Sequence, residues 1–146
     1  MRYYEDFAVG DSWTFGPHEM TEAEMVEFAE RYDPQPMHVD PAAARETRYG
    51  GLIASGWHTI AVAMRLLVDG LVSDTAGVAS PGVDAIRWTH PVRPGDELSV
   101  ELEVNAKRVS ESDPAVGIID WTWEITTREA VAATLESSHI VERREE

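Results

Sequence analysis

An aspartate and a histidine, Asp33 and His38, stand five residues apart in the segment YDPQPMH. Pro34 and Pro36 lie between them and restrict the backbone of this link. General acid–base catalysis needs two titratable groups at hydrogen-bond distance from one water, and a stiff link lowers the entropy cost of holding them there. An extended link, turned at its prolines, would let both side chains face one pocket. An N-capping aspartate beside a structural histidine has the same spacing, so the spacing alone does not decide between the two interpretations.

A glycine-containing segment, GGLIASG at residues 50–56, leads into the longest apolar helical segment of the chain. Glycine lets a ligand approach the backbone closely, and the first turn of a helix presents unpaired N–H groups with a partial positive charge. Such groups stabilise a developing enolate or oxyanion. Glycines that serve only tight packing would produce the same pattern. A donor site so close in sequence to an acid–base pair favours a functional site.

Two capping signals predict helices on either side of this acid–base pair. TEAE at residues 21–24 has the pattern of a capping box, and apolar residues keep helical spacing behind it. This helix is expected to end by Asp33, because Pro34 disfavours helical geometry in the residue before it. Asp40 and Pro41 are typical of an N-cap and a first helical position, so a short helix is expected over the following AAARETR.

The apolar segment WHTIAVAMRLLVDGL, residues 57–71, is predicted to be a long helix. Only Arg65 and Asp69 are charged before Gly70 interrupts it. Its expected apolar face consists of Trp57, Ile60, Ala61, Met64, Leu67, Val68 and Leu71. A helix this apolar needs other elements wrapped around it.

The second half of the chain supplies alternating strands that can wrap this helix. They are predicted at residues 83–92, 97–104, 117–127 and 131–144, and a shorter strand at SWTF near the amino terminus. Helices early and strands late indicate one α+β domain over residues 1–146, with an antiparallel sheet curled around the central helix. Because this sheet is too small to cover the helix alone, a dimer is expected.

The charge balance excludes several classes of partner. Twenty-seven acidic residues against twelve basic ones give a net charge of −15, and Lys107 is the only lysine. Such a surface repels nucleic acid and anionic membrane. Two explanations of this composition remain open. The chain is an ordinary acidic protein whose codon usage favours arginine, or it is adapted to a salt-rich cytoplasm in which charge repulsion is screened. A gain of stability in molar KCl would identify the second.

The chain has no cysteine, which excludes disulfides, thiolate catalysis and cysteine metal sites. It has neither a run of 18 apolar residues nor a basic leader followed by an apolar stretch. A cytoplasmic protein without a membrane partner is therefore expected. His18, His90 and His139 have no partner at metal-ligand spacing, so no metal site is predicted. For His58, in the first turn of the central helix, a packing role is favoured over a place in the pocket.

YDPQPMHVDPAAA followed by YGGLIASGWHT resembles the MaoC-like acyl-CoA dehydratases, the family of R-specific enoyl-CoA hydratases. ASPGVDAIRWTHPVRPGDEL is similar to the strand, turn and strand that follow the central helix in that family. The resemblance covers roughly residues 5–110. It implies the hot-dog fold, in which an antiparallel sheet wraps a long central helix with a short overhanging helical segment before it. It also implies a homodimer or a higher assembly of dimers.

The resemblance implies that Asp33 and His38 are catalytic, and that Gly56 supplies a catalytic backbone N–H. Ser55 and Trp57, on either side of Gly56, are the expected substrate contacts. The implied reaction is reversible addition of water across the 2,3-double bond of an enoyl-CoA, giving an (R)-3-hydroxyacyl-CoA. No metal or redox cofactor is implied, and coenzyme A enters as part of the substrate. The sequence departs from the family pattern at three positions: Gln35 replaces a commoner asparagine, Ser55 a histidine found in many members, and Ala61 a serine found in some.

Two other functions fit a hot-dog protein. A thioesterase would use a carboxylate and a helix N-terminus, but would not need a histidine at position 38. A non-catalytic acyl-CoA-binding subunit would not need both Asp33 and His38. Because coenzyme A is anionic, a local basic group is required on this acidic surface. Arg93, in the turn PVRPGD, is the first candidate, and an ion pair between Arg93 and Asp96 is the alternative interpretation.

Overall fold

The alternating apolar segments form one antiparallel sheet. In the computed structural model, which describes residues 1–145, five strands lie in the order β1-β3-β4-β5-β2. Their bounds are β1 (Ser12–Glu19), β2 (Gly77–Trp88), β3 (Glu97–Val109), β4 (Val116–Thr126) and β5 (Val131–Glu142). β2, the strand that follows the central helix in the chain, therefore lies at one edge of the sheet, and β1 lies at the other.

The face of the sheet toward the central helix carries the side chains that alternation predicted. Leu98, Val100, Leu102 and Val104 of β3 are all buried. On β4, Trp121 pairs with Val104 and is likewise buried. Since successive strand residues point to opposite faces, this register gives the sheet one apolar and one polar side.

Four α-helices lie within the described residues, and all precede β2. They are α1 (Glu22–Tyr32), α2 (Pro36–Val39), α3 (Pro41–Arg45) and α4 (Gly56–Gly70). α1 begins behind Thr21, whose Oγ1 accepts from the Glu24 N–H at 3.2 Å, and ends before Asp33 as predicted. The capping box is only half formed, because the Glu24 carboxylate contacts His18 instead of returning to Thr21.

The link between Asp33 and His38 is not extended, contrary to the sequence-based expectation. Pro36 occupies the first position of α2, a single helical turn that carries His38. Proline has a backbone angle suited to that position and loses no hydrogen bond there. Asp40 then caps α3, with Oδ1 accepting from the Ala42 N–H at 3.0 Å, as predicted. α2 and α3 form the short helical segment that precedes the central helix.

The central helix α4 buries a different face from the one predicted. His58, Thr59, Val62, Ala63 and Leu67 are buried. Trp57, Ala61 and Met64, three members of the predicted apolar face, are exposed. The helix is apolar on most sides, so hydrophobicity did not identify which side meets the sheet.

β2 begins and ends earlier than predicted. Residues 89–92 form a link in which the N–H groups of Thr89 and His90 both point to the Ala132 carbonyl, at 2.9 and 3.4 Å. The carbonyl of Val92 accepts from the Ala54 N–H at 2.9 Å. These bonds hold the link beside the segment that leads into α4. None of the helices in residues 1–145 combines the length and the apolar character needed to cross a membrane.

Candidate active site

A cavity of about 430 Å³ lies where α2, the start of α4 and the link after β2 meet. We call it the reaction cavity. Its lining includes the predicted site residues Asp33, His38, Gly56 and Trp57, together with Trp88 at the end of β2 and His90 in the link. The structure therefore brings the acid–base pair and the amino end of the central helix to one cavity, as the sequence predicted.

The imidazole of His38 is almost fully buried and is oriented by the backbone. Its Nδ1 lies 2.8 Å from the carbonyl oxygen of Ile53. A carbonyl oxygen only accepts, so Nδ1 must carry a hydrogen and donate it. In the neutral ring, Nε2 is then left with a free lone pair. The short helix α2 and the carbonyl of Ile53 thus set both the position and the tautomer of this histidine.

The carboxylate of Asp33 follows directly after α1 and is held by two neutral donors. Gln35 Nε2 donates to Oδ1 at 2.7 Å, and Ser55 Oγ donates to Oδ2 at 2.7 Å. The Gln35 amide holds the pKa of Asp33 below its ordinary value; partial burial opposes this effect, and Ser55 and His38 add to it. Asp33 is consequently ionised at neutral pH and acts only as an acceptor.

Asp33 Oδ2 and His38 Nε2 are 3.4 Å apart. In this tautomer both atoms are acceptors, so neither donates directly to the other. A water placed between them could donate one hydrogen to each. The pair therefore has the geometry to bind and polarise one water, and to accept a proton from it.

Ser55 is placed differently from the sequence-based expectation. It was predicted to contact substrate, but its exposed fraction is 0% and its hydroxyl is directed at Asp33. The structure makes it a positioning residue for the carboxylate. It occupies the N-cap position of α4 without capping the helix.

Ser55 does not bind the N–H of the second helical residue, Trp57, as a capping serine can, and the N–H of Gly56 lies at the first helical position, which such a cap does not reach. Within residues 1–145, neither Gly56 N nor Trp57 N donates to a protein acceptor. A Cβ added at Gly56 would clash with the indole of Trp88, so glycine at this position lets the indole pack against the helix end. The free N–H groups and the partial positive charge of the helix end together suit an anionic oxygen.

Trp57 lies at the rim of the reaction cavity, with 56% of its surface exposed. It packs edge-on against Trp88, with ring centroids 5.2 Å apart. Trp57 also lines a second cavity, of about 350 Å³, between α4 and the apolar face of the sheet. We call this the inner cavity. The position of Trp57 is compatible with the predicted substrate contact.

Arg93 lies near the reaction cavity without lining it. Its Nη2 donates to the carbonyl of Tyr49, which does line the cavity. Asp96 accepts from the Arg93 backbone N–H at 2.8 Å, so it binds the main chain and not the guanidinium. Lys107, the only lysine of the chain, lies elsewhere and donates to the carbonyls of Tyr4 and Phe7.

The remaining histidines divide between the core and the site. His58 is buried, stacks on Phe28 with centroids 4.7 Å apart, and lines no part of the reaction cavity, so the packing interpretation is confirmed. Burial lowers the pKa of His58, with Glu24 opposing this effect. His90 was given no role in the site from the sequence, but it lines the reaction cavity. Its only sequence signal was its place in the segment RWTHPV, which resembles the family.

No group of three or more histidine, aspartate or glutamate side chains in the described part of the chain is arranged to hold a metal ion.

The chain matches the family described as MaoC like domain over residues 6–120. It is 32% identical over 133 residues to Protein MaoC of Klebsiella aerogenes, covering 86% of this chain and 39% of that protein. A MaoC-like dehydratase from Rhodospirillum rubrum is 38% identical and superimposes with a TM-score of 0.91 over 100% of both chains. An (R)-hydratase from A. caviae involved in PHA biosynthesis is 25% identical, with a TM-score of 0.72 over 95% of this chain and 99% of that one.

The family match spans most of the chain and includes the segments that carry Asp33, His38 and Gly56. The two superpositions show that the similarity includes the whole architecture, in which the sheet wraps around α4. The chain has the hot-dog fold and belongs to the MaoC-like dehydratase family.

Proposed function

We propose that this protein is a hydro-lyase that adds water to, or removes it from, the 2,3-double bond of an enoyl-CoA, with an (R)-3-hydroxyacyl-CoA as the hydrated form. The observation that carries the proposal is the 3.4 Å separation of Asp33 Oδ2 and His38 Nε2, two acceptors facing one cavity. Membership of the MaoC-like dehydratase family and the likeness to an (R)-hydratase support it.

In the proposed reaction, Asp33 and His38 bind the attacking water between them. The water oxygen bonds to C3 of the substrate while its proton passes to the lone pair of His38 Nε2. The carboxylate of Asp33 stabilises the imidazolium that forms, because opposite charges 3.4 Å apart attract strongly in a partly buried site. The Nδ1–H bond to Ile53 keeps the ring in place during this exchange.

As the C3–O bond forms, the electron pair of the double bond moves toward C2 and the thioester oxygen. The resulting enolate oxygen would accept from the free N–H of Gly56 at the start of α4. The proton held by the Asp33–His38 pair then passes to C2. Water is added across the double bond with no other reactant, so the proposed reaction requires neither a metal nor a redox cofactor.

The inner cavity is proposed to receive the acyl chain. Trp57 borders both cavities, so a chain that leaves the reaction cavity beside Trp57 enters the space between α4 and the sheet. Ile60, Leu67 and Leu135 contribute apolar walls. Burial of an alkyl chain there is favourable by about 0.8 kcal/mol per CH₂.

Coenzyme A is proposed to lie over the rim formed by Tyr49 and Arg93. The chain carries a net charge of −15, so its surface as a whole repels the coenzyme A phosphates. The Arg93 guanidinium, held against the Tyr49 carbonyl, is a positive group beside the cavity mouth. Its hydrogen bond to Tyr49 leaves other N–H groups of the fork to bind phosphate.

We propose that the functional unit is a homodimer formed through β2. This strand lies at the sheet edge, and Val78 and Val83 on it are about half exposed. Trp57 and Met64, on the exposed side of α4, extend the same apolar surface. Pairing of two β2 edges would satisfy unpaired backbone groups and cover this surface.

A thioesterase is the alternative enzyme, and a non-catalytic acyl-CoA-binding subunit is the alternative outside catalysis. The deciding experiment mixes crotonyl-CoA with the protein and follows absorbance at the enoyl-thioester band together with free thiol. We expect loss of the band, formation of 3-hydroxyacyl-CoA and no free thiol. Release of thiol would indicate a thioesterase, and binding without turnover across an acyl-CoA panel would indicate a binding subunit.

Asp33→Ala and His38→Ala test the assignment of the acid–base pair. Each should lower kcat by at least roughly a hundredfold, because general acid–base groups contribute about 10²–10⁴. His90→Ala, which removes an exposed imidazole from the same cavity, is the matched comparison and should cost less. Turnover within tenfold of the wild type in both Asp33 and His38 variants would refute the proposed roles.

A further inference from the structure

The inner cavity is apolar on the side of α4 but polar on part of the opposite wall. Ser137 and His139, two residues apart on β5, both line it. Residues i and i+2 of a strand point to the same face, so their side chains belong to one wall. An unbranched alkyl chain would gain nothing from polar groups at this place.

The hydroxyl oxygen of Ser137, a residue that lines this cavity, is held by two indole donors. Ser137 Oγ accepts from Trp121 Nε1 at 3.1 Å and from Trp123 Nε1 at 3.0 Å, and the residue is only 5% exposed. A serine hydroxyl has two lone pairs and one hydrogen. Both lone pairs are therefore in use, and the hydroxyl hydrogen has no acceptor among residues 1–145. Accepting two N–H groups also polarises the O–H bond and strengthens it as a donor.

A buried donor without an acceptor is unfavourable, because the hydrogen bond to water that it loses on burial is not replaced. The Ser137 oxygen accepts from both indole N–H groups, but the hydroxyl hydrogen has no acceptor within the described residues. An acceptor atom on a ligand in the inner cavity would remove this cost. The indole pair also fixes the serine oxygen in place, so little side-chain entropy would be lost when such a ligand binds.

His139 adds a second polar group to the same wall. Its ring stacks on Trp121, with centroids 5.3 Å apart and planes 18° from parallel. Neither of its nitrogens hydrogen-bonds to another group in the described part of the chain, and Nε2 is enclosed against Gly77. Burial lowers the pKa of His139, which favours the neutral ring. None of the described residues that line the inner cavity is a lysine or an arginine, so Ser137 offers a neutral donor there without a cationic partner for a carboxylate.

We infer that the acyl group of the substrate carries a neutral hydrogen-bond acceptor, a keto, ether or hydroxyl oxygen, several carbons from the thioester, and that Ser137 donates to it. This inference rests on the proposed function, since it places the acyl chain of that substrate in the inner cavity. It makes Ser137 a specificity-determining residue for the reaction.

The test compares 2-enoyl-CoAs of six and eight carbons with partners of the same length that carry a keto oxygen on the penultimate carbon. In the wild type, kcat/KM should be at least about tenfold higher for a keto substrate than for its plain partner, which corresponds to about 1.4 kcal/mol of one hydrogen bond. Ser137→Ala should abolish this preference. If the wild type shows a kcat/KM for each plain substrate that equals or exceeds the value for its keto partner, the inference is wrong.

Ser138→Ala is the matched control, because the neighbouring Ser138 hydroxyl already donates to Asp120. This variant should keep the keto preference. Ser137→Ala leaves two indole N–H groups without an acceptor and could fail to fold, so the wild type provides a second measurement. Calorimetry should show tighter binding of saturated 7-oxooctanoyl-CoA than of octanoyl-CoA.

The two proposals fail in different ways. If crotonyl-CoA is hydrated but the wild type neither prefers nor binds the keto compounds more tightly, the inference is wrong and the hydratase assignment stands. If no enoyl-CoA is hydrated but 7-oxooctanoyl-CoA binds more tightly than octanoyl-CoA, the hydratase assignment is wrong and the polar wall still selects its ligand. If no enoyl-CoA is hydrated and 7-oxooctanoyl-CoA binds no more tightly than octanoyl-CoA, both the hydratase assignment and the inference about Ser137 are wrong.

Discussion

The hydroxyl of Ser55 donates to Oδ2 of Asp33 across 2.7 Å, although Ser55 occupies the N-cap position of the central helix. A serine at this position ordinarily accepts from the N–H groups of its own helix. Here one side chain has two consequences for the site. It stabilises the ionised carboxylate of Asp33, and it leaves the N–H of Trp57, which a capping serine can bind, without an acceptor among residues 1–145.

The first prediction concerns the acid limb of the pH–rate profile. Gln35 and Ser55 both lower the pKa of Asp33, with Gln35 the larger influence. Removing either donor raises this pKa, so the acid limb of kcat/KM should move to higher pH. We expect Gln35→Ala to move it further than Ser55→Ala, with kcat at neutral pH falling by about tenfold or less in each.

The measurement is kcat/KM for crotonyl-CoA between pH 3.5 and 7. Ser73→Ala, an exposed serine on the turn after α4, serves as the control and should keep the wild-type limb. A merely structural role for Ser55 would lower the melting temperature and leave the limb where it was. An unchanged limb in both variants would show that these hydrogen bonds do not control Asp33.

The second prediction concerns Arg93 and the phosphates of coenzyme A. Arg93→Gln should raise KM for crotonyl-CoA by about tenfold, because a charge-assisted hydrogen bond contributes roughly 1.5–3 kcal/mol when fully formed and less at an exposed rim. KM for crotonyl-pantetheine, which lacks the phosphates, should stay within twofold. Steady-state kinetics with both thioesters provides the comparison.

Arg31→Gln is the control for Arg93, since the exposed Arg31 pairs with Glu27 on α1. It should affect neither substrate. An equal rise of KM for both thioesters in the Arg93 variant would indicate a structural role through Tyr49, and the coenzyme A contact would then be wrong.

The third prediction concerns the proposed dimer. Val83→Lys places a charge on the exposed edge strand β2, and lysine at such an edge opposes pairing with another strand. We expect the wild type to sediment as a dimer and the variant to dissociate at protein concentrations at least about tenfold higher. Val109→Lys, at the end of β3, is the control and should remain dimeric. A Val83→Lys protein as dimeric as the wild type would place the interface elsewhere.

The fourth prediction concerns the pH dependence of stability. Burial lowers the pKa of His58 and of His139 below the ordinary value of 6.5. The unfolded chain therefore binds these protons more readily than the native one, and protonation favours unfolding. The free energy of unfolding should be undiminished above pH 6.5 and fall as the pH drops from 6.5 toward the native pKa values. The slope is at most about 1.4 kcal/mol per pH unit for each histidine.

Urea unfolding at several pH values between 5 and 7.5 measures this slope. His58→Gln should flatten it, since glutamine does not titrate. The carboxylate of Glu24, 3.8 Å from His58 Nε2, opposes the effect of burial, so the slope from His58 is smaller than burial alone would give. His90→Gln, which changes an exposed ring, is the control. A slope unchanged by His58→Gln would show that this histidine is protonated alike in both states.

Local sequence signals predicted the elements of the fold because their causes lie within a few residues. Alternation at residues 97–104 corresponds to the buried face of β3, and Thr21 and Asp40 cap α1 and α3. The link between Asp33 and His38 was expected to be extended and the helical turn α2 was missed, because Pro36 suits both an extended link and a first helical position.

The motifs predicted that Asp33, His38 and Gly56 belong to one site, and all three line the reaction cavity. Their catalytic roles remain predictions. The assignment of Asp33 and His38 to a functional site depended on the resemblance to a family, since a five-residue spacing by itself also fits a structural aspartate and histidine.

By itself, the sequence determined the approximate positions of the strands and the caps of α1 and α3, because alternation and capping act over short stretches of chain. Only the tertiary structure decided which side of α4 is buried, since a helix apolar on most sides can pack on several of them. It also decided the Ser55–Asp33 bond and the His38–Ile53 bond, which join residues 22 and 15 positions apart. Such contacts depend on how the elements pack, and no local pattern encodes that packing.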